Sequence, residues 1–263
     1  MAQPRVVRSG KIEYMFTAAL DASGSSEHLI FVVAGFAAPN SAWDEFCKEW
    51  KARLAQDGLD YFHIREYAHS LGPWRDWKGD VRRRNGLYGD LMGIIKSHAS
   101  RKFGSVVAPS KLNVIDKDLR EHFNIGAYPL AGRTMAAAIR RWMTRDKILG
   151  PFRMVFEYGD EGRGKLMKRF ESDDLPKPEF RMKKDFCPLQ AADILAYEIF
   201  NAAEKAERNQ LKSLRWALGE LDKLPGEPGI YLDHDIKEFA EGLRITRELN
   251  QWGEERKLFK VRD

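Results

Sequence analysis

Residues 13–38, EYMFTAALDASGSSEHLIFVVAGFAA, decide the reading of the fold. They form two apolar runs around a small, polar turn. In the first run Tyr14, Phe16 and Ala18 alternate with Met15, Thr17 and Ala19, and both sets are largely apolar. A strand open to water on one side alternates apolar with polar, so this one reads as buried on both faces. The second run, residues 29–33, is apolar and rich in branched side chains, which suits a partner strand. Between them, Ala22, Ser23, Gly24, Ser25 and Ser26 supply the small residues that a reversal needs. The stretch therefore predicts a central hairpin, with Asp21 where its first strand ends. A carboxylate there must be paired, solvated or bound to a metal, because burying it alone is costly. Hydrogen bonding to the amides of its own turn is the plainer alternative.

The chain has 263 residues, enough for one large domain or two small ones. Hydrophobic residues make up 43%, which allows a sizeable core, and charged residues 32%, which suits a soluble protein. No apolar run approaches the roughly 20 residues of a membrane helix, so no membrane partner is expected. The opening segment, MAQPRVVRSG, lacks the apolar core of a signal peptide. Cys47 and Cys187 are the two cysteines and sit in dissimilar contexts, which argues against a disulfide framework. These points favour the cytoplasm. With 44 basic and 39 acidic residues, the net charge of +5 permits a nucleic-acid partner without requiring one. Nothing in the pattern sets an oligomeric state.

Beyond the hairpin, Ser41 is a candidate helix cap, and residues 42–55 carry Trp43, Phe46, Trp50 and Leu54 at helical steps. Residues 72–86, GPWRDWKGDVRRRNG, read as a basic loop. Its tryptophans, Trp74 and Trp77, lie near Arg82, Arg83 and Arg84, a combination that can grip phosphates and stack on bases. A solvated arginine face beside tryptophans that cap the core is the plainer reading. Helices are expected over residues 87–99, 131–147, 162–171, 189–206 and 235–249, and strands over 103–108 and 152–157. Residues 224–229, LPGEPG, mark a late break. Strands mixed with helices in this order favour a layered α/β domain over a bundle or sandwich.

Three places could carry chemistry besides Asp21. The segment PLQAADILAY, residues 188–197, is apolar nearly all round as a helix, so Asp193 stands alone in a buried surface, with Gln190 and Tyr197 on its face. An acid kept there needs a metal ion, a catalytic cluster or a buried partner such as an arginine. Glu157 falls where a strand should end, a common position for active-site groups in α/β sheets. Asp160 and Glu161 follow it, with helix capping as their plainer role. His63 and Glu66, three apart, would share one side of a helical turn. No phosphate-cradling glycine loop and no cysteine-based zinc pattern is present. Asp233, His234 and Asp235 read as the start of the last helix.

Four of these segments, taken in order, resemble the bacterial and phage family called domain of unknown function 3800. That family typically shows Asp-Glu-Ser-Gly after its first strand, matched here by Asp21, Ala22, Ser23 and Gly24. A Phe-His pair followed by an acid is matched by Phe62, His63 and Glu66; a strand ending in acids by Phe156, Glu157, Gly159 and Asp160. A Leu-Gln-x-x-Asp helix is matched by Leu189, Gln190 and Asp193. The resemblance implies a ribonuclease H-like fold over residues 1–206, a mixed sheet with helices on both faces, with residues 207–263 as a helical extension packed on it. It also implies a metal-dependent nuclease or phosphodiester hydrolase, with Asp21, Glu66, Glu157 or Asp160, and Asp193 gathered around two divalent ions. Asp21, Glu157, Asp160 and Asp193 are the expected metal ligands, and their oxygen-only chemistry suits Mg²⁺ or Mn²⁺. His63 would shuttle a proton, and Arg82, Arg83, Arg84, Arg140, Arg141, Lys183 and Lys184 would hold phosphates. The chain departs from the family at Ala22, where a Glu is usual; if that Glu contributes to catalysis, the chain is instead an inactive nucleic-acid-binding or protein-interaction module. A third reading makes the acids structural, paired with arginines.

Overall fold

The computed structural model describes residues 15–25, 27–159, 162–230 and 233–260. Tyr14, Ser26, Asp160 and Glu161, singled out above, lie outside them. Among the described residues, six strands make one sheet: β1 (Phe16–Ser23), β2 (Phe31–Pro39), β3 (Arg101–Val107), β4 (Phe152–Glu157), β5 (Glu179–Arg181) and β6 (Gly226–Ile230). Their spatial order is β5-β4-β1-β2-β3-β6. β1, β2 and β3 form an antiparallel meander, whereas β4 runs parallel to β1, β5 parallel to β4, and β6 parallel to β3.

The hairpin stretch forms the two central strands, which explains its apolar content on both faces. Gly24, at φ 98°, allows the turn; a side chain there would meet the Ile30 carbonyl at 2.5 Å. Gly35 sits opposite Leu20, and a Cβ on it would lie 1.9 Å from the Ala19 carbonyl oxygen, so the strands approach more closely than an alanine permits.

Alternation along the strands divides the core. Val32, Ala34, Phe36 and Ala38 pack with helices α1 (Asn40–Ala55), α3 (Val81–His98) and α7 (Pro188–Glu207). Phe31, Val33 and Ala37 pack on the other face with α5 (Ala127–Arg145) and with Ile236, Ala240 and Leu243 of α9 (Asp233–Lys260). The fold is thus a mixed sheet with helices on both faces. The remaining helices are α2 (Ile64–His69), α4 (Lys117–His122), α6 (Arg163–Ser172) and α8 (Trp216–Asp222). None of the described helices is long and apolar enough to cross a membrane.

Some local expectations differ. Helix α1 begins at Asn40, so Ser41 lies within its first turn and does not cap it. The expected basic loop folds into a short 3₁₀ helix, Gly72–Trp77, and the start of α3, which Asp80 caps by accepting a bond from the Arg83 amide at 3.0 Å. Trp74 and Trp77 are buried in the core rather than offered to a ligand. The late break at residues 224–229 becomes β6, an edge strand, which is where the ladder tolerates a proline such as Pro228.

Candidate active site

The register of two parallel strands creates the site. Leu20 of β1 pairs with Phe156 of β4, and both side chains enter the α5-facing core. The next residues, Asp21 and Glu157, turn to the opposite face. Behind them Ala19 and Val155 pack on Leu189, in the first turn of α7. One turn further along α7 comes Asp193, held against the sheet by the small neighbours Ala191, Ala192 and Ala196, all fully buried. Glu157 in turn pairs with Arg181 of β5, so the chain that leaves β5 at this end passes directly over the acids. It delivers Lys183.

The Lys183 Nζ lies 3.1 Å from Asp21 Oδ2, 3.2 Å from Asp193 Oδ1 and 3.6 Å from Glu157 Oε2. Three carboxylates from two strands and a helix therefore surround one ammonium. Asp21 is 2% exposed and Asp193 5%. Both are oriented by backbone amides: Ala22 N–H donates to Asp21 Oδ1 at 2.9 Å and Ile64 N–H to Asp193 Oδ2 at 2.9 Å. The bond from Ala22 is the turn contact named above as the plainer role of Asp21; it accompanies the ionic contacts and does not replace them.

One cation does not balance three acids, two of them buried and the third, Glu157, partly so. Burial pushes the Asp21 carboxyl up to about 7; Lys183 opposes the shift, and hydrogen-bonded Asp193 adds to it. Burial also raises Asp193, against Lys183 and the Ile64 amide. For Lys183, burial disfavours the charge, but the attraction of Asp21, Asp193 and Glu157 prevails and holds the ammonium above the ordinary lysine range. Burial thus works against the ionised form of Asp21, and Lys183 works for it.

Gln190 organises the surroundings from α7. Its Oε1 accepts from Trp50 Nε1 at 2.8 Å and from the Phe62 amide at 2.7 Å, and its Nε2 donates to the Lys183 carbonyl at 2.9 Å. The Phe62 bond carries the following residues to the rim of the site. His63 Nδ1 lies 3.4 Å from Glu66 Oε1, and the Tyr61 hydroxyl is 3.0 Å from both Glu66 oxygens. Burial, aided by the Lys183 charge, lowers His63 below its usual range despite Glu66 and Asp21. Lys184 places its Nζ 4.4 Å above the Tyr61 ring.

The structure thus brings together Asp21, Glu157 and Asp193, with His63 and Glu66 beside them, and leaves other candidates elsewhere. Lys183 is not a free phosphate-gripping cation as expected; three acids hold it inside the site. Arg83 donates to Asp57 Oδ1 at 2.9 Å and stacks 3.8 Å from the Trp77 ring centre. Arg84 bonds Ser70 and the Tyr67 carbonyl and lies 4.2 Å from the Tyr67 ring centre. Arg82 is exposed. Arg140 and Arg141, on α5, line a cavity with Arg133 of the same helix and Asp173 at the end of α6, across the sheet from α7. Tyr61 and the central position of Lys183 were missed; the KKD run of residues 183–185 has no periodicity to mark it.

Among the described residues, no three His, Cys, Asp or Glu side chains converge closely enough to share a metal ion. The position to which the three acids point is taken by the Lys183 ammonium. In donor chemistry the residues fit a hard divalent ion: three carboxylates, excess negative charge and a cation already seated among them.

No family model and no curated protein matches this chain. Among solved structures it is similar to Bst-RNase HIII in complex with Mn²⁺, at 10% identity over 78% of this chain, with a TM-score of 0.42. A mutant of the same enzyme aligns at 11% identity over 78% of this chain, with a TM-score of 0.41. The chain spans 57% of the length of these proteins.

Proposed function

We propose that the chain is a divalent-metal-dependent hydrolase of phosphodiesters, a nuclease, with Asp21, Glu157 and Asp193 as its metal-holding acids. The observation that carries this reading is their convergence, from distant parts of the chain, on a single partly buried cation, Lys183. Purely structural burial would favour apolar side chains of similar volume. Oxygen-only donors select Mg²⁺ or Mn²⁺ over zinc. Asp160, beyond the described residues, and Glu66 complete the proposed ligand set. Membership of the family that the sequence resembles and action on nucleic acid in the cytoplasm belong to the same proposal.

When bound, the metal supplies an activated water and steadies the leaving oxygen. The protein's own groups do the rest. The Ala22 and Ile64 amides fix the Asp21 and Asp193 carboxylates, so little reorganisation is needed. With a metal held by these acids, Lys183 would be free to pair with a phosphate oxygen. His63, its charged form disfavoured by burial, accepts a proton while Glu66, itself hydrogen-bonded by Tyr61, orients its ring. Lys184 and Arg82 extend the contact to the backbone of a nucleic acid.

A second reading, an inactive binding module, is favoured by Ala22 and by the ammonium already filling the cluster. A cleavage assay on single- and double-stranded DNA and RNA in Mg²⁺ or Mn²⁺ separates the two. The nuclease reading expects cleavage by the native protein and at least a roughly 100-fold loss in Asp193→Asn. No cleavage by either protein, with binding that weakens as salt rises, supports the module instead.

A further inference from the structure

The acid cluster uses the first half of α7. The second half serves a different space. Leu195, Ile199, Ala202, Ala203 and Ala206 form one stripe along the helix and line a cavity of about 540 Å³. The first residues of β3 and β6 lie across from them. The room comes from short side chains, three alanines on the helix facing Gly104 and Gly226 on the strands. Leu218 of α8 and Leu224 add to the wall. Leu211 and Leu214 complete it from residues 208–215, which join α7 to α8 without helix or strand. Both leucines remain partly open to solvent, at 39% and 49% exposure.

We propose that this cavity binds a small amphiphile, an aliphatic chain with an anionic head as in a fatty acid, with residues 208–215 as the strap over it. This inference is independent of the nuclease reading. The volume lies within the roughly 300–1,000 Å³ of small-molecule sites. Water gains little there, because it needs several polar partners and the lining is leucine, isoleucine and alanine. A chain that displaces water restores the dispersion contacts that the wall lacks.

Shape and charge define the ligand. From Leu195 to Ala206 the stripe runs about 16 Å at 1.5 Å per residue, an elongated wall that suits an extended chain. The charged pair at its edge, Lys102 and Asp222, is satisfied internally. Lys102 Nζ donates to Asp222 Oδ1 at 2.8 Å and to the carbonyls of Asp222 and Leu224 at 2.8 and 2.9 Å. That edge therefore asks for no charge on a ligand. The strap has the opposite character. Residues 208–216, RNQLKSLRW, hold three basic side chains and no acidic one. Arg208 pairs with Glu204 at 3.0 Å, and Arg215 Nε lies 3.4 Å from Oε2 of buried Glu198. These contacts, with the bonds from the Asn209 and Gln210 amides to the Ala206 and Lys205 carbonyls, anchor both ends of the strap to α7. Between the anchors, exposed Lys212 stands beside Leu211 and near Leu214, and supplies the charge for an anionic head.

Calorimetric titration of the whole protein with decanoate, and separately with uncharged 1-decanol, tests the proposal. One decanoate should bind per chain. Lys212→Glu should weaken decanoate at least roughly threefold and leave 1-decanol unchanged. Ala203→Phe, which fills the cavity, should abolish binding of both. A decanoate carrying a photoreactive diazirine, crosslinked to the native protein, needs no variant and should label residues 195–206 or 208–215. No decanoate binding by the native protein, or labelling confined to other segments, overturns the proposal. Binding that survives in a folded Ala203→Phe overturns the location, and equal effects of Lys212→Glu on both ligands overturn the anionic head. A native protein that refuses decanoate yet doubles its mass as concentration rises assigns the apolar face to a second copy of the chain instead.

Discussion

Leu20 and Asp21 are neighbours on β1, yet they serve opposite faces of the sheet. Leu20 enters a core with Phe156, Met135 and Ile139, closed by α5 and almost wholly apolar. Asp21 enters a layer that holds three acids, an ammonium and the buried amide of Gln190. The strand's alternation alone separates the two environments. The comparison teaches where stability and chemistry are divided: the α5 face contributes apolar burial, and the α7 face carries charges whose burial opposes folding unless they compensate one another.

The difference can be broken from either side. The largest expected effect is that of Lys183→Met, which leaves Asp21, Glu157 and Asp193 without their common cation. Removing one partner of a buried ionic cluster costs about 4 kcal/mol. Urea unfolding at pH 8 in EDTA should show this loss, and Mn²⁺ should recover more stability in the variant than in the native protein. On the other face, Ile139→Ala opens a cavity costing about 3 kcal/mol, with the same value at pH 5 and pH 8 and unchanged Mn²⁺ binding.

A smaller effect sharpens the contrast through pH. The Asp21 carboxyl rises from its ordinary value of 3.8 to about 7. Between those values the folded chain keeps a proton that the unfolded chain has lost, so this group makes stability fall as pH rises through the window. Asp21→Asn mimics the protonated form. It should match the native protein near pH 4 and exceed it above pH 7 by at least about 1 kcal/mol, one pKa unit's worth. Melting temperature against pH reads the difference; a constant offset at every pH would contradict the assignment. The smallest effect is that of Arg140→Ala, exposed on α5, which should change stability by no more than about 0.5 kcal/mol and leave Mn²⁺ affinity unaltered in calorimetry.

Much of the framework was legible because it is periodic. The doubly apolar strand, the Trp43-Phe46-Trp50-Leu54 spacing and the apolar helix around Asp193 each report burial through pattern alone. The same logic singled out Asp193, because an acid in an apolar surface contradicts its surroundings, whereas Asp21 and Glu157 stood out as acids at the ends of strands. Lys183 gave no such contradiction: a lysine in a polar connection reads as solvated, and only the β4–β5 register puts it over the acids. The arginines were read too freely for a related reason, since composition cannot reveal that Arg83 faces Asp57 or that Arg84 faces the Tyr67 carbonyl. β5 and β6 are three and five residues long, too short for a period to emerge.

Calorimetric titration of Mn²⁺ into the native protein, Lys183→Met and Asp193→Asn tests most directly whether the acids that meet at Lys183 form a cation site. Binding to the native protein, at least roughly tenfold tighter binding once the competing ammonium is gone, and loss of binding in Asp193→Asn are predicted. Heats that are absent in all three proteins, or unchanged in Asp193→Asn, would contradict it.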